Sequence, residues 1–116
     1  MSICYLNGNF VELSKASISP LDRGFLFGDS VYEVFAAYEK NLFRLDDHME
    51  RLKKNLESLS IKIALENSEI KSILQKVCEK NPEENQIIYL QISRGAEAIR
   101  NPVSYTHLRA HETFGY

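Results

Sequence analysis

Residues 22–33 of this chain read DRGFLFGDSVYE, and residues 48–52 read HMERL. In the first segment, Gly24 and Gly28 let the backbone bend where a side chain would clash. A run of β-branched and aromatic residues that carries Tyr32 follows directly. The first segment therefore predicts a glycine-containing bend that leads straight into a strand.

Two β-hairpins are predicted, one on each side of this bend. Asn7-Gly8 lies between apolar runs, and both residues tolerate the positive φ that a two-residue hairpin turn requires. After the bend, a polar turn at 39–41 separates a second pair of apolar runs. We expect strands at 3–6, 10–13, 31–38 and 42–43, with 14–20 as a connection.

Two amphipathic helices and a last strand follow. The first helix is predicted to open at Asp46 and Asp47, with Asp47 and Glu50 at capping-box spacing. A second helix over 68–80 ends before Pro82, and the apolar run 87–93 predicts a buried strand. The stripe of the first helix that should face the core consists of Leu45, Met49, Leu52, Leu56 and Leu59. Together these elements predict an α+β domain.

Composition places the chain among globular proteins. Its 116 residues are 44% hydrophobic and 26% charged, with a net charge of -2, which suits one soluble domain and gives no basic field for nucleic acid or a membrane. The sequence lacks the roughly 20 consecutive apolar residues of a membrane span and the layout of a signal peptide, so a cytoplasmic location is expected. Cys4 and Cys78 have no nearby cysteine or histidine partner and are predicted to be buried free thiols.

The bend-and-strand segment and the HMERL helix together resemble the amino-terminal half of the fold-type IV enzymes that use pyridoxal phosphate. These are the class IV aminotransferases, including D-amino acid and branched-chain transaminases, and aminodeoxychorismate lyase. The resemblance implies the small amino-terminal domain of such an enzyme, in which hairpins and a further strand pack with two helices. It also implies pyridoxal 5'-phosphate as cofactor, an amino acid and a 2-oxo acid as substrates, and a homodimer.

The resemblance assigns roles to two residues. Arg51 lies off the apolar stripe and would by itself be read as a solvated surface residue, but the corresponding arginine of the family holds the cofactor phosphate. Tyr32 would by itself be a packed amphipathic residue, but the resemblance turns its hydroxyl into the active site to support catalysis and bind the substrate carboxylate or the cofactor. His48 is expected to act indirectly at most, and Glu33, on the other face of the strand, to support the structure.

Arg100 bears on the choice of substrate. D-amino acid transaminases resemble this region in having a strand, an Arg-Gly pair (here Arg94-Gly95), a short loop, and then an arginine and a histidine that receive the substrate α-carboxylate. Arg100 fits the second arginine, although the loop is one residue longer than expected. The histidine would fall at Pro102. The alternative is that Arg100 is an exposed loop residue.

The segment 103–113, VSYTHLRAHET, is identical to one reading frame of a common transposase sequencing adapter. We therefore expect residues 1–101 to be a native domain of a longer protein and 102–116 to be a non-native tail, with Pro102 as a hybrid codon of which the first base is native. That base, C, begins both histidine codons, and it also begins codons for Gln, Leu, Pro and Arg. The tail's His107, Arg109, His111 and Glu112 are accordingly not taken as a metal or acid–base site, and no metal is expected.

Schiff-base chemistry needs a lysine bound to the cofactor, which in this family lies in the second half of the chain. The lysines present, such as Lys53, Lys54, Lys71 and Lys76, have helix-surface spacing. The sequence therefore predicts an inactive fragment of a transaminase, with the D-amino acid branch favoured over branched-chain transaminase and aminodeoxychorismate lyase. A hypothesis of another class is a non-catalytic α+β domain that docks another subunit through its apolar faces.

Overall fold

A computed structural model describes residues 2–63 and 65–96, and the backbone of residues 112–115. Its strands form a six-stranded sheet in the order β2-β1-β6-β5-β3-β4, and all the paired neighbours run antiparallel. The elements are β1 (Ile3–Leu6), β2 (Asn9–Glu12), a 3-10 turn (Leu13–Lys15), α1 (Arg23–Phe27), β3 (Ser30–Tyr38), β4 (Asn41–Leu42), α2 (Leu45–Ser58), α3 (Asn67–Lys80), β5 (Gln86–Ser93) and β6 (Glu112–Gly115). The α+β prediction is confirmed.

Both predicted hairpins are present. Asn7 and Gly8 have φ angles of 47° and 96°, as the turn between β1 and β2 requires. The second turn holds Glu39 and Lys40 at φ of 50° and 62°, which is unfavourable for residues with a Cβ. The Lys40 ammonium donates to the carbonyl of Asn81 at 2.9 Å, and this contact helps to offset the strain.

The helices lie close to their predicted positions, but the predicted capping residues of α2 differ from those observed. The capping box proposed for Asp47 and Glu50 was wrong, because α2 begins at Leu45 after Arg44, which has a φ of 52° and caps nothing with its side chain. Asp47 instead lies in the first turn, where the helix dipole stabilises negative charge. The capping box in the structure belongs to α3, where Glu66 and Glu69 make the reciprocal contacts.

The core lies between the helices and one face of the sheet. β3 and β5 turn alternate residues inward, as strand geometry requires, and α2 and α3 add their apolar stripes. The buried hydrophobic residues are Cys4, Val31, Phe35, Ala37, Met49, Leu52, Leu56, Ile61, Ile70, Leu74, Val77, Cys78, Ile88, Leu90 and Ile92. Both cysteines are buried free thiols, as predicted. Of the described helices, none is long and apolar enough to cross a membrane.

The opposite face of the sheet is open to solvent. Tyr32 and Val34 of β3 and Ile87 of β5 are among the exposed large hydrophobic residues. The phenol ring of Tyr32 stacks on that of Tyr89 in β5, with ring centroids 5.5 Å apart. This outer face therefore carries apolar and aromatic side chains without a covering layer from the described part of the chain.

β6 lies within residues 102–116, the segment predicted to be a non-native tail. β6 pairs with β1 and with β5, and its Thr113 is opposite both Tyr5 and Leu90. The boundary between native and non-native residues that was predicted after residue 101 remains a prediction, since residues 97–111 lie outside the described part.

Candidate active site

The bend-and-strand segment 22–33 and the HMERL segment 48–52 meet at one ion-pair cluster. Arg51 of α2 donates from Nε to Oε1 of Glu33 at 2.6 Å and from Nη2 to Oε2 at 2.9 Å. The same Oε2 lies 2.9 Å from Nδ1 of His48, one helical turn before Arg51. The Glu33 side chain is 2% exposed, whereas that of Arg51 is 63% exposed. A buried carboxylate of β3 therefore anchors a guanidinium whose other side faces solvent.

Charge pairing decides the protonation of Glu33. Burial alone would raise the pKa of this carboxyl group, but the hydrogen bonds and positive charge supplied by Arg51 and His48 outweigh burial and lower its pKa below the ordinary value. The same hydrogen bond to Glu33 raises the pKa of Arg51. Glu33 is therefore a carboxylate near neutral pH, and it is an acceptor only.

The ionised carboxylate also fixes the tautomer of His48. Because Oε2 of Glu33 can only accept, the Nδ1 atom of His48 must carry the proton that it donates. The 3.3 Å separation between Nη2 of Arg51 and Nδ1 of His48 is then a contact between two donors that share one acceptor. Consequently Arg51 uses one edge of its guanidinium, Nε and Nη2, to bind Glu33.

The end of the guanidinium formed by Nη1 and Nη2 remains available. Within the described residues, Nη1 of Arg51 has no hydrogen-bond partner. A phosphate oxygen can accept from such an end-on pair of N–H groups. The arrangement thus fits an anionic group placed beyond Arg51 on the solvent side, although the guanidinium is already shared with Glu33, a constraint that the sequence analysis did not foresee.

Tyr32 and Glu33 are neighbours in β3 and consequently leave the strand on opposite faces. The Tyr32 side chain is on the outer face, and the residue is 61% exposed. Its phenol is near enough to contribute to the raised pKa of Arg51. Tyr32 and the free end of Arg51 are therefore both accessible, and an exposed phenol can donate a hydrogen bond to a ligand carboxylate.

A second charged cluster ties the glycine-containing bend to the end of β5. Asp29 accepts from Nε of Arg23 at 3.1 Å and from Nε of Arg94 at 2.7 Å, and both arginines are almost fully buried. Nη2 of Arg94 also donates to the carbonyl of Leu59, at the end of α2. This cluster fixes the point at which the chain leaves β5 toward residue 97.

The structure brings Tyr32, Arg51, His48 and Glu33 into one region, but Arg100 and Pro102 lie outside the described residues. Sequence reasoning placed Glu33 on the inner face as a structural residue but missed its ion pair with Arg51. The signal was present, because Glu33 alternates with Val31 and Phe35 on the inner face of β3, and a carboxylate in an apolar row needs a cation. The α1 helix inside the bend was also missed.

The fold is an α+β domain in which a buried carboxylate pairs with an exposed arginine, and comparison with known proteins identifies the family. The model for amino-transferase class IV matches residues 30–113. The chain is 38% identical to a D-alanine aminotransferase from Bacillus licheniformis over 89 residues, covering 77% of this chain and 31% of that protein. It is 33% identical to a D-alanine aminotransferase from Staphylococcus epidermidis over 96 residues, which cover 83% of this chain and 34% of that protein. The chain belongs to the class IV aminotransferase family.

Solved structures agree with this assignment at the level of the fold. A branched-chain amino acid aminotransferase from T.th., complexed with N-(5'-phosphopyridoxyl)-L-glutamate, has a TM-score of 0.83 at 24% identity, over 98% of this chain and 39% of that one. The branched-chain amino acid aminotransferase from Escherichia coli has a TM-score of 0.88 at 18% identity, and the match covers 99% of this chain and 39% of that one. Members of the family are enzymes that use pyridoxal phosphate, and the predicted resemblance is confirmed. The chain spans about a third of the length of the curated relatives it matches.

Proposed function

We propose that this chain is the amino-terminal part of a pyridoxal-phosphate transaminase that moves an amino group between a D-amino acid, such as D-alanine, and a 2-oxo acid. The observation that carries the proposal is the Glu33–Arg51 pair, which joins the two family segments across 18 residues. The D-amino acid branch is supported by the relatives that are 33–38% identical. The branched-chain structures, at 24% identity or less, support the fold alone.

Arg51 would hold the cofactor phosphate. Its Nη1 atom, together with the N–H of Nη2 that Glu33 does not accept, is exposed to solvent, and the guanidinium stays charged at any relevant pH. The cofactor, when bound, supplies the electrophilic carbonyl and the electron sink for amino-group transfer. The contribution of this chain is to fix the anionic end of that group.

Tyr32 would bind the substrate carboxylate or the cofactor through its hydroxyl. Stacking on Tyr89 at 5.5 Å limits the motion of the ring, so the hydroxyl is held ready on the outer face. Arg100 would receive the α-carboxylate together with a histidine that we propose as the native residue at position 102. A bidentate arginine suits a carboxylate better than a lysine does.

The native protein would continue beyond Asn101 and supply the lysine that binds the cofactor. We propose that residues 102–116 derive from adapter, that the complete protein is a cytoplasmic homodimer, and that the 116-residue chain does not transaminate alone. The native residues after Asn101 would then fill the position between β1 and β5 that β6 has here. Sequencing the source DNA across codon 102 tests this directly, and a native adapter-like sequence there would refute it.

The activity is tested on the protein encoded by the gene completed past Asn101. We expect a visible absorption band from bound pyridoxal 5'-phosphate that D-alanine bleaches, with pyruvate as the product. Higher kcat/KM for L-leucine or for aminodeoxychorismate would replace the D-amino acid proposal with one of the two alternatives. Arg51→Ala should weaken the affinity for the cofactor by about 10- to 100-fold, as loss of charge-assisted hydrogen bonds implies.

Tyr32→Phe keeps the ring stack and removes the hydroxyl, so it should raise KM for D-alanine or lower kcat. Tyr38→Phe is the matched control, because Tyr38 is a comparably exposed tyrosine on the same face of β3. Equal kinetics for both variants would remove Tyr32 from the site.

A docking domain without catalysis is the second candidate, and the exposed outer face of the sheet favours it. Tyr32, Val34 and Ile87 give that face an apolar character, which is typical of a surface that another layer covers. A completed protein that binds no pyridoxal 5'-phosphate and associates through this face would leave docking as the function.

A further inference from the structure

We propose that Glu33 is a positioning residue, which clamps one edge of Arg51 so that the other end of the guanidinium is held in place for the phosphate of the cofactor. This inference rests on the proposed function, since it concerns how Arg51 is made ready for that phosphate. Glu33 would not touch the cofactor. It would act through Arg51.

The burial difference within the pair supports this role. The side chain of Glu33 is 2% exposed and that of Arg51 63% exposed. A surface arginine normally samples many rotamers, and fixing it costs conformational entropy when a ligand binds. Two short hydrogen bonds to a buried, rigid carboxylate fix the guanidinium beforehand, so the ligand need not order it.

The alternative effect of Glu33 is competition, because its negative charge partly neutralises Arg51. Two features oppose that outcome. His48 donates to the same carboxylate at 2.9 Å, so Arg51 does not carry the whole compensation of the buried charge. The Arg51 side chain is also 63% exposed in this chain, and the attraction or repulsion between charges is weak near solvent. The gain in phosphate binding from orienting Arg51 should therefore exceed the loss from partly neutralising its charge.

The experiment compares two ligands that differ in the phosphate alone. In the completed protein, the dissociation constants of pyridoxal 5'-phosphate and of pyridoxal are measured by absorbance or fluorescence titration. Glu33→Gln should weaken binding of pyridoxal 5'-phosphate by about two- to tenfold, the range expected for one unfixed side chain. Its effect on pyridoxal should be negligible. Glu50→Gln is the matched control, because Glu50 precedes Arg51 on α2 and is exposed, 3.9 Å from Lys54.

A double-mutant cycle separates positioning from a general structural effect. If Glu33 acts through Arg51, Glu33→Gln should lose its effect on phosphate binding in an Arg51→Ala background. Equal weakening of both ligands, or an undiminished effect without Arg51, would overturn the inference, and so would tighter binding by the Glu33→Gln protein. If Glu33→Gln does not fold, Glu33→Asp, which keeps the charge and shortens its reach, is put through the same two-ligand comparison and must meet the same criteria.

The two proposals fail in different ways. Unchanged binding of pyridoxal 5'-phosphate by Arg51→Ala would show that Arg51 does not hold the phosphate. The Glu33–Arg51 pair would then no longer support the proposed function. Weakened binding by Arg51→Ala together with unchanged binding by Glu33→Gln would leave the proposed function standing and refute positioning alone.

Discussion

The hydroxyl of Ser93, the last residue of β5, donates to Oδ2 of Asp22 at 2.8 Å, although the two residues are 71 positions apart in sequence. The other oxygen of Asp22 accepts from the backbone of Gly24 at 2.8 Å and of Phe25 at 3.3 Å, which caps α1. Ser93→Ala should therefore lower the free energy of unfolding by roughly 1–3 kcal/mol, because a buried charged acceptor loses its partner. Urea denaturation measures the change.

Ser17→Ala is the control for that substitution, since Ser17 is an exposed serine in the connection before the bend. Its free energy of unfolding should stay within about 0.5 kcal/mol of the parent value. If the two substitutions cost the same, the hydroxyl of Ser93 makes no net contribution.

Gly24 is required for close packing rather than for backbone freedom. A Cβ built on Gly24 would lie 2.9 Å from Oδ1 of Asp22, 2.9 Å from Cβ of Ser93 and 3.2 Å from Cβ of Ser30. Gly24→Ala should thus destabilise the chain by roughly 1–3 kcal/mol, although alanine favours a helix by up to about 1 kcal/mol. A rise in the melting temperature would show that the neighbours yield at little cost.

Acid should weaken the Glu33 cluster. Because the pKa of Glu33 in the folded chain is below its ordinary value of 4.5, its contribution to stability is complete above that value and is lost as the pH falls toward the folded pKa. The difference in free energy of unfolding between the parent and Glu33→Gln should be largest near neutral pH and should shrink as the pH is lowered below 4.5. A constant difference over that range would contradict the charge pairing.

The two thiols should be protected in the native chain. Cys4 and Cys78 are both 0% exposed, and burial raises the pKa of each, which reduces both access and the thiolate fraction. At about pH 8, near the ordinary pKa of a free thiol, Ellman's reagent should react slowly with the folded chain and rapidly in concentrated urea. Equal rates in the two conditions would mean that the core opens readily.

Local rules predicted the elements of this fold well. Asn7-Gly8 specifies a tight hairpin turn through backbone conformation alone, and the stripe on α2 follows from helical period. Both depend on neighbours in sequence. The predicted start of α2 was wrong in detail because Arg44 adopts a left-handed conformation. That conformation is unfavourable for a residue with a side chain, and the surrounding tertiary contacts must offset its cost.

The site was harder to predict because its contacts are long-range. Family resemblance proposed roles for Tyr32 and Arg51, but it did not predict the hydrogen bond between Arg51 of α2 and Glu33 of β3. Sequence showed that Glu33 faces inward, and it could not show which cation would meet it. The same limit applies to the bond between Asp22 and Ser93, which depends on how the bend docks on β5.

The alternation of Tyr32 and Glu33 along β3 constrains how the gene can change in length. Loss or gain of a single codon between Gly28 and Glu33 would shift the register of β3 by one residue. The side chain of Tyr32 would then face the hydrophobic core and that of Glu33 would face solvent. A change of two codons would restore the original orientation. Viable variants should consequently accept length changes at the Asn7-Gly8 hairpin far more readily than here.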